Sequence, residues 1–304
     1  MIVETVNLFK RFGDIVALNN LNLHVPKGIS GFIGPNGAGK TTTINILAGL
    51  VKPTSGSATV LGLDVLSESI EIRRRVRFMQ ELQPLPGDMT VIKFMRYASM
   101  LCDSSIREAV EALKTMGLKN FMERRIKNLS AGMMQRLRLA QALLGNPEII
   151  VLDEPTANLD PIGRLEVLDK IVELNKDMST NFLISSRIIP ELEKIVDWIS
   201  IINDGKIITE GKVSDLISSD KYNVFKIMSS NNDLLRKIIN DYGLECRVEG
   251  SSLIIRVKDH WDLYKILSSM SKCRVFIYRI EVLGTRLDEI FRKMVGKNGD
   301  TENF

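Results

Sequence analysis

Eight consecutive residues, Gly34-Pro35-Asn36-Gly37-Ala38-Gly39-Lys40-Thr41, constrain this chain more than any other feature. They match GxxxxGK[ST], follow the apolar run Ile29 to Ile33 and precede the helix-like stretch Thr41 to Leu50, so the order reads strand, glycine loop, helix. Residues without a Cβ let successive backbone N–H groups converge on anionic oxygens, and a helix beginning there adds its partial positive charge. The expected phosphate contacts are therefore Gly34, Asn36, Gly37, Ala38, Gly39, Lys40, Thr41 and Thr42. Lys40 is placed to reach the terminal phosphates, and the Thr41 hydroxyl to ligate Mg²⁺. A plain glycine turn beside a solvated lysine would not need the flanking strand and helix.

A second element, Ile149-Ile150-Val151-Leu152-Asp153-Glu154, is an apolar run that ends in two carboxylates. Successive side chains of a strand point to opposite faces, so the two acids can do different work. Asp153 is the expected Mg²⁺ partner, and Glu154 the group that orients or deprotonates an attacking water. Two acids at a strand end are often a solvated rim, and beside a phosphate loop that alternative recedes.

The rest of the chain supplies a frame for these motifs. With 304 residues, 44% of them hydrophobic, it has ample core for one or two globular domains. A net charge of +4 is too small to argue for nucleic acid. Cys102, Cys246 and Cys273 are far apart and fit neither a disulfide framework nor a zinc site. No apolar stretch approaches the roughly 18 residues that cross a bilayer, and the start lacks the pattern of a signal peptide, so a membrane role is expected to be peripheral.

Between the nucleotide motifs, about residues 84–146, the texture turns helical. Val91, Phe94, Met95, Ala98 and Leu101 are spaced as one face, and Ser105 to Glu108 fits a capping box. Ile149 to Leu152 and Phe182 to Ile184, separated by an amphipathic segment, read as buried parallel strands with a crossover helix. Asn203-Asp204-Gly205 predicts a closing hairpin. From residue 214 the predicted order is βαββαβ, the ferredoxin-like arrangement, followed by an amphipathic helix from Thr285 to Met294 and a tail.

Leu129-Ser130-Ala131-Gly132-Met133 lies between the motifs, ahead of the stretch Met134 to Leu144 and the acidic strand. Together these residues resemble the ATPase subunits of ABC transporters over roughly residues 1–213, LSAGM being similar to the family's LSGGQ signature. The resemblance implies an α/β P-loop NTPase fold, with a RecA-like core, an antiparallel β subdomain and an inserted helical subdomain. Residues 214–304 would add a small α+β domain. It also implies ATP hydrolysis with Mg²⁺ in a head-to-tail dimer, where Ser130 and Gly132 of one subunit face nucleotide on the other.

Within the same resemblance, Phe12 is placed against adenine, Gln80 is the glutamine that touches Mg²⁺ and the water, and Ala157 to Asp160 is similar to the D-loop. Two departures stand out. Ala131 and Met133 replace a glycine and a glutamine of the signature, and Arg187, in Ile184-Ser185-Ser186-Arg187, stands where the family has its switch histidine. Arg187 is expected either to stabilise charge at the γ-phosphate or to pair with Glu154 and blunt it as a base. His24 and His260 are expected to be incidental, and Arg73, Arg74, Arg75 and Arg77 a solvated helix face.

Subgroup features such as Thr285 to Phe291 resemble exporters of drugs, antibiotics or polysaccharides. The implied partners are an integral membrane subunit, docking beside Gln80 and the Met89 to Met100 helix, and a second ABC ATPase, identical or different. No nucleic acid is expected. The implied location is cytoplasmic, peripheral on the inner face of the cell membrane. Two other classes compete: a soluble ABC ATPase, disfavoured by the single phosphate loop and the lack of a long coiled-coil insert, and a weakly hydrolysing regulatory subunit, which Arg187 suggests.

Overall fold

The structure is a computed structural model and describes residues 1–81, 84–218, 223–257 and 260–282. The chain divides into two compact units, Met1–Val213 and the residues from Ser214 onward.

The first unit opens with β1 (Val3–Phe12), β2 (Ile15–Leu21), β3 (His24–Val25) and β4 (Ile29–Ile33), and the loop after β4 feeds α1 (Lys40–Leu47). Then come β5 (Ser55–Val60), β6 (Leu63–Asp64), α2 (Ser69–Arg75) and β7 (Val76–Met79). Three helices follow, α3 (Val91–Leu101), α4 (Ile106–Thr115) and α5 (Ala131–Ala142). The unit continues with β8 (Ile149–Asp153), α6 (Pro161–Met178), β9 (Asn181–Ser186), α7 (Ile189–Leu192), β10 (Trp198–Asn203) and β11 (Lys206–Lys212), and α8 (Val213–Ser218) comes next in sequence.

Two sheets carry the unit. One is antiparallel, in the order β2-β1-β5-β6 with β3 on β1; the other runs β11-β10-β4-β9-β8-β7 and is parallel except for the β10–β11 hairpin. Every residue of β4 and β8 is buried, as interior parallel strands require, and this is why both are dominated by apolar residues. The phosphate loop leaves the end of β4 and the two acids leave the end of β8, with β9 between the two strands. Sheet order thus brings together motifs more than a hundred residues apart.

The three inserted helices each start on a side-chain cap: Thr90, Ser105 and Ser130 accept from the N–H of Lys93, Glu108 and Met133. Val91, Phe94, Met95 and Ala98 are buried as their spacing predicts, but Leu101, the last residue of α3, is exposed because the helix stops before the face closes. At Ser105 the cap forms, yet the Glu108 carboxylate accepts from the Ser105 hydroxyl at 3.1 Å instead of reaching a backbone N–H. The hairpin turn has positive φ at Asp204 and Gly205, 46° and 71°, the conformation that suits an Asp-Gly pair.

One expectation is corrected. The arginine run is not simply a solvated face: Arg75 pairs with Glu148 at 2.6 Å, and Arg73 and Arg77 donate to the carbonyls of Ala48 and Arg73. The end of a helix offers carbonyls without partners, and guanidinium groups satisfy them. His24, expected to be an incidental surface or strand residue, lies in the strand β3. Its ring Nδ1 lies 2.5 Å from Glu210 Oε1, and its backbone N–H donates to Glu210 Oε2, linking β3 to β11.

The second unit comprises β12 (Asn223–Ser229), α9 (Asn232–Asp241), β13 (Cys246–Glu249), β14 (Ser252–Val257), α10 (His260–Lys272) and β15 (Ile277–Val282). Its antiparallel sheet has the order β13-β14-β12-β15, with a core that includes Ile227, Leu235, Ile239, Leu253, Ile255 and Ile266. β15 starts at Ile277, three residues after Arg274, which takes a φ of 55°. The helix expected from Thr285 to Met294 lies outside the described residues.

Candidate functional site

The loop between β4 and α1 needs glycine at two places for contact reasons. A Cβ at Gly34 would lie 2.4 Å from the Ile202 carbonyl on β10, and one at Gly39, whose φ is 106°, would lie 2.7 Å from Leu18 and 2.8 Å from the Ala17 carbonyl. The loop is thus pressed between β10 and β2 and turns directly into α1. A cavity of about 180 Å³ opens above it, with Asn36, Gly37, Lys40, Thr41, Glu81 and Glu154 among its walls.

Lys40 is only 6% exposed. Its ammonium donates to the carbonyls of Gly34 at 2.7 Å and Pro35 at 3.1 Å and lies 3.4 Å from Glu154 Oε1. A buried cation held by neutral carbonyls and a single carboxylate is a ready counter-charge for phosphate oxygens. Asp153 is 2% exposed and accepts from the hydroxyls of Thr41, at 2.8 Å, and Ser185.

Glu154 takes a φ of 49°, in the left-handed region that non-glycine residues enter at a cost of about 1–3 kcal/mol. Its N–H is fixed by the carbonyl of Ser185 at 3.2 Å and the Ser185 hydroxyl at 3.0 Å. Burial pushes its carboxyl above the ordinary carboxylate value; Lys40 and Arg187 pull it back, and the Glu81 charge adds to the rise. A carboxylate so raised is a better proton acceptor.

The donor set suits a hard divalent cation. The Thr41 and Asp153 oxygens, 2.8 Å apart, are spaced much like neighbouring vertices of an octahedron with ligands at about 2.1 Å. No group of three or more His, Cys, Asp or Glu placed to hold a metal ion occurs among the described residues.

The remaining sequence-predicted residues divide. Thr42 continues the first turn of α1 and lines the cavity. Phe12 ends β1, 47% exposed, with the Lys10 ammonium 4.6 Å above its ring, on the hairpin whose Ala17 lines the cavity. Gln80 is not on the cavity wall: its amide donates to Asn45 Oδ1 at 2.9 Å, and the wall position belongs to Glu81. Arg187 is exposed and has no hydrogen bond or ion pair among the described residues. Ser130 and Gly132 sit at the start of α5, outside the walls of this cavity, with Ser130 exposed.

Sequence reasoning missed Glu81, Asn45 and Ser185. Ser185 alone left a signal, a hydroxyl at the end of an otherwise apolar buried run.

The ABC transporter family profile matches residues 18–157. The chain is similar to the bacitracin transport ATP-binding protein BcrA of Bacillus licheniformis, 33% identical over 97% of each chain. It is likewise similar to the daunorubicin/doxorubicin resistance ATP-binding protein DrrA of Streptomyces peucetius, 31% identical over 98% of this chain and 93% of that one. Among solved structures it is similar to a dimeric ATP-binding cassette in a post-hydrolysis state bound to ADP and Pi, with 27% identity and a TM-score of 0.62 over 69% of this chain and 98% of that one.

Proposed function

The chain belongs to the ABC transporter family as an ATP-binding, ATP-hydrolysing subunit of an exporter, and from that membership we propose how its own residues do the work. The observation that carries the reading is the meeting of Lys40, Thr41 and Glu154 on one cavity, with Asp153 hydrogen-bonded to Thr41.

ATP enters with its phosphates over the loop from Gly34 to Gly39, and Lys40 exchanges the Gly34 and Pro35 carbonyls for phosphate oxygens. Thr42 adds a donor at the helix start, and the exposed face of Phe12 takes the adenine ring, a stacking contact worth about 1–3 kcal/mol. Thr41 and Asp153 would hold Mg²⁺, which when bound neutralises charge building on the transferred phosphate. Gln80 could join them only by leaving Asn45. Glu154 takes a proton from the attacking water on one of its carboxylate oxygens, and Arg187, free of partners and close enough to act on Glu154, tempers that basicity.

Ser130 and Gly132 complete the site from a second subunit, either another copy of this chain or a different ABC ATPase. Closure around two nucleotides and reopening after hydrolysis then move a membrane-embedded partner. That partner docks on the exposed side of α3 and the turn before it, where Tyr97, Met100 and Met89 are uncovered. Similarity to subunits named for bacitracin transport and daunorubicin/doxorubicin resistance supports an antibiotic-like cargo. No helix among the described residues is long and apolar enough to cross a membrane, which suits attachment to the inner face of the membrane through the partner. Residues 1–213 act as the ATPase domain, and residues 214–304 as a ferredoxin-like accessory domain, a reading supported by the strand order β13-β14-β12-β15.

Titration of labelled ATP into the purified chain tests this. The native protein is expected to bind saturably, and Lys40→Ala to abolish binding; equal affinity in both would end the proposal.

A further inference from the structure

Glu154, with its φ of 49°, keeps a strained backbone only while its surroundings over-determine it. From the side of β9 the hold is Ser185, whose carbonyl and hydroxyl both accept from the Glu154 N–H. The hold on the other side comes from α5. Gln135, 7% exposed, donates its amide to the Pro155 carbonyl at 2.6 Å. Its own side-chain carbonyl accepts from the Arg138 guanidinium at 3.0 Å, three residues along the same helix, which settles which end of the amide faces Pro155. The Pro155 ring locks one of the torsions between the held N–H and the held carbonyl. The two holds together therefore leave the Glu154 backbone little freedom.

We infer that Gln135 is a positioning residue for hydrolysis: from the second turn of α5 it grips the turn after Glu154 and keeps that carboxylate on the cavity. The inference rests on the reading of Glu154 as the base. A strained residue released at one end relaxes toward ordinary backbone angles and carries its side chain with it. Nothing in this linkage touches the phosphate loop, so it governs the chemical step and not the uptake of nucleotide. α5 then serves both halves of the site, its start at Ser130 offered outward and its second turn holding the base of its own chain.

Steady-state turnover and binding of labelled ATP, measured with Mg²⁺ on the full chain across a pH series, test this. Gln135→Met keeps the length of the side chain and its place beside Met79, whose sulfur is 4.0 Å from the amide, but removes the donor. Turnover at saturating ATP is expected to fall at least about tenfold with ATP affinity within about twofold of native. Burial is the main cause of the raised Glu154 carboxyl, so a carboxylate that swings toward water should move the acid limb of the turnover profile to lower pH. General loosening of the fold would reduce turnover and leave that limb in place. Gln135→Asn, whose amide is one methylene short of Pro155, is expected to give the same split and carries the test if the methionine variant does not fold. Native turnover in a folded variant, a fall in turnover with an unmoved acid limb, or a matching loss of ATP affinity in both variants overturns the inference. Glu154→Gln is run beside them: if it turns over like the native chain, the reading of Glu154 as the base falls instead.

Discussion

Lys40 is buried and meets three partners inside its own chain, the carbonyls of Gly34 and Pro35 and the carboxylate of Glu154, whereas Ser130 is exposed and its hydroxyl accepts from a single N–H, that of Met133. The N–H groups of Ala131 and Gly132 find no acceptor among the described residues. The cradle is internally satisfied and must exchange partners to take up phosphate. The start of α5 offers unfilled donors and the positive end of a helix dipole, and it lies outside the walls of the cavity above the loop. The contrast teaches which part of the nucleotide site one chain completes and which waits for another subunit. It can be broken by substitutions that act on one region and spare the other.

The largest effect is expected in the cradle, at the base. Glu154→Gln keeps size and hydrogen-bonding reach but removes the proton acceptor, so steady-state ATP turnover should fall by about 10²–10⁴-fold. Binding of labelled ATP should survive, because Lys40 and the loop are untouched. Turnover within tenfold of the native rate would remove Glu154 from its role.

The next effect belongs to the signature end. Ser130→Asp preserves an equally good helix cap, so the melting temperature should barely move. It nevertheless points a carboxylate at the place where a neighbouring subunit would bring phosphate. Dimer formation induced by ATP, followed by light scattering, should be lost, while each chain still binds nucleotide in its cradle. Dimers and turnover like those of the native chain would show that α5 completes no second site.

How much of this was legible in the sequence follows the range of the interactions. The cradle, the caps at Ser105 and Ser130, and the Asp204-Gly205 turn depend on residues a few places apart, and each appears where expected. The segment Ile15 to Val25, all of it β-like in sequence, is divided into β2 and β3, which end and begin at Leu21 and His24. The Gln80–Asn45 bond, the place of Glu81 and the ties from Ser185 to Asp153 and Glu154 depend on which elements meet in space, and no spacing encodes them. The tie between His24 and Glu210, 186 residues apart, is of the same kind.

Arg187 sharpens the comparison from the cradle side by a smaller margin. Burial holds the Glu154 carboxyl above its ordinary value and Arg187 draws it down. Arg187→His exchanges a permanent charge for a ring that is mostly neutral above a pKa of about 6.5. In that range Glu154 should rise further. The acid limb of the turnover profile, where the base becomes protonated, should shift to higher pH, and turnover on the plateau should increase a few-fold. The stability sign follows: a carboxyl raised in the folded state contributes most below its unfolded pKa, and that contribution is lost as pH climbs through the folded value. The variant should therefore lose more stability than the native chain between mildly acidic and neutral pH. Superimposable pH profiles would show that Arg187 does not act on Glu154.

The smallest effect is expected where the family resemblance invites a repair. Met133 occupies the place of the signature's glutamine, yet it is 8% exposed and packs inside the first unit, one turn into α5. Met133→Gln would bury a carboxamide in a setting that offers a thioether an apolar home, at a cost of about 1–3 kcal/mol if the amide stays unpaired. The melting temperature should fall by a few degrees, and neither turnover nor dimer formation should improve, because the donors that face outward belong to Ser130, Ala131 and Gly132. Faster turnover with unchanged stability would mean that residue 133 turns toward nucleotide when the dimer forms, and the division between a buried cradle and an exposed signature would then have to be redrawn along α5 itself.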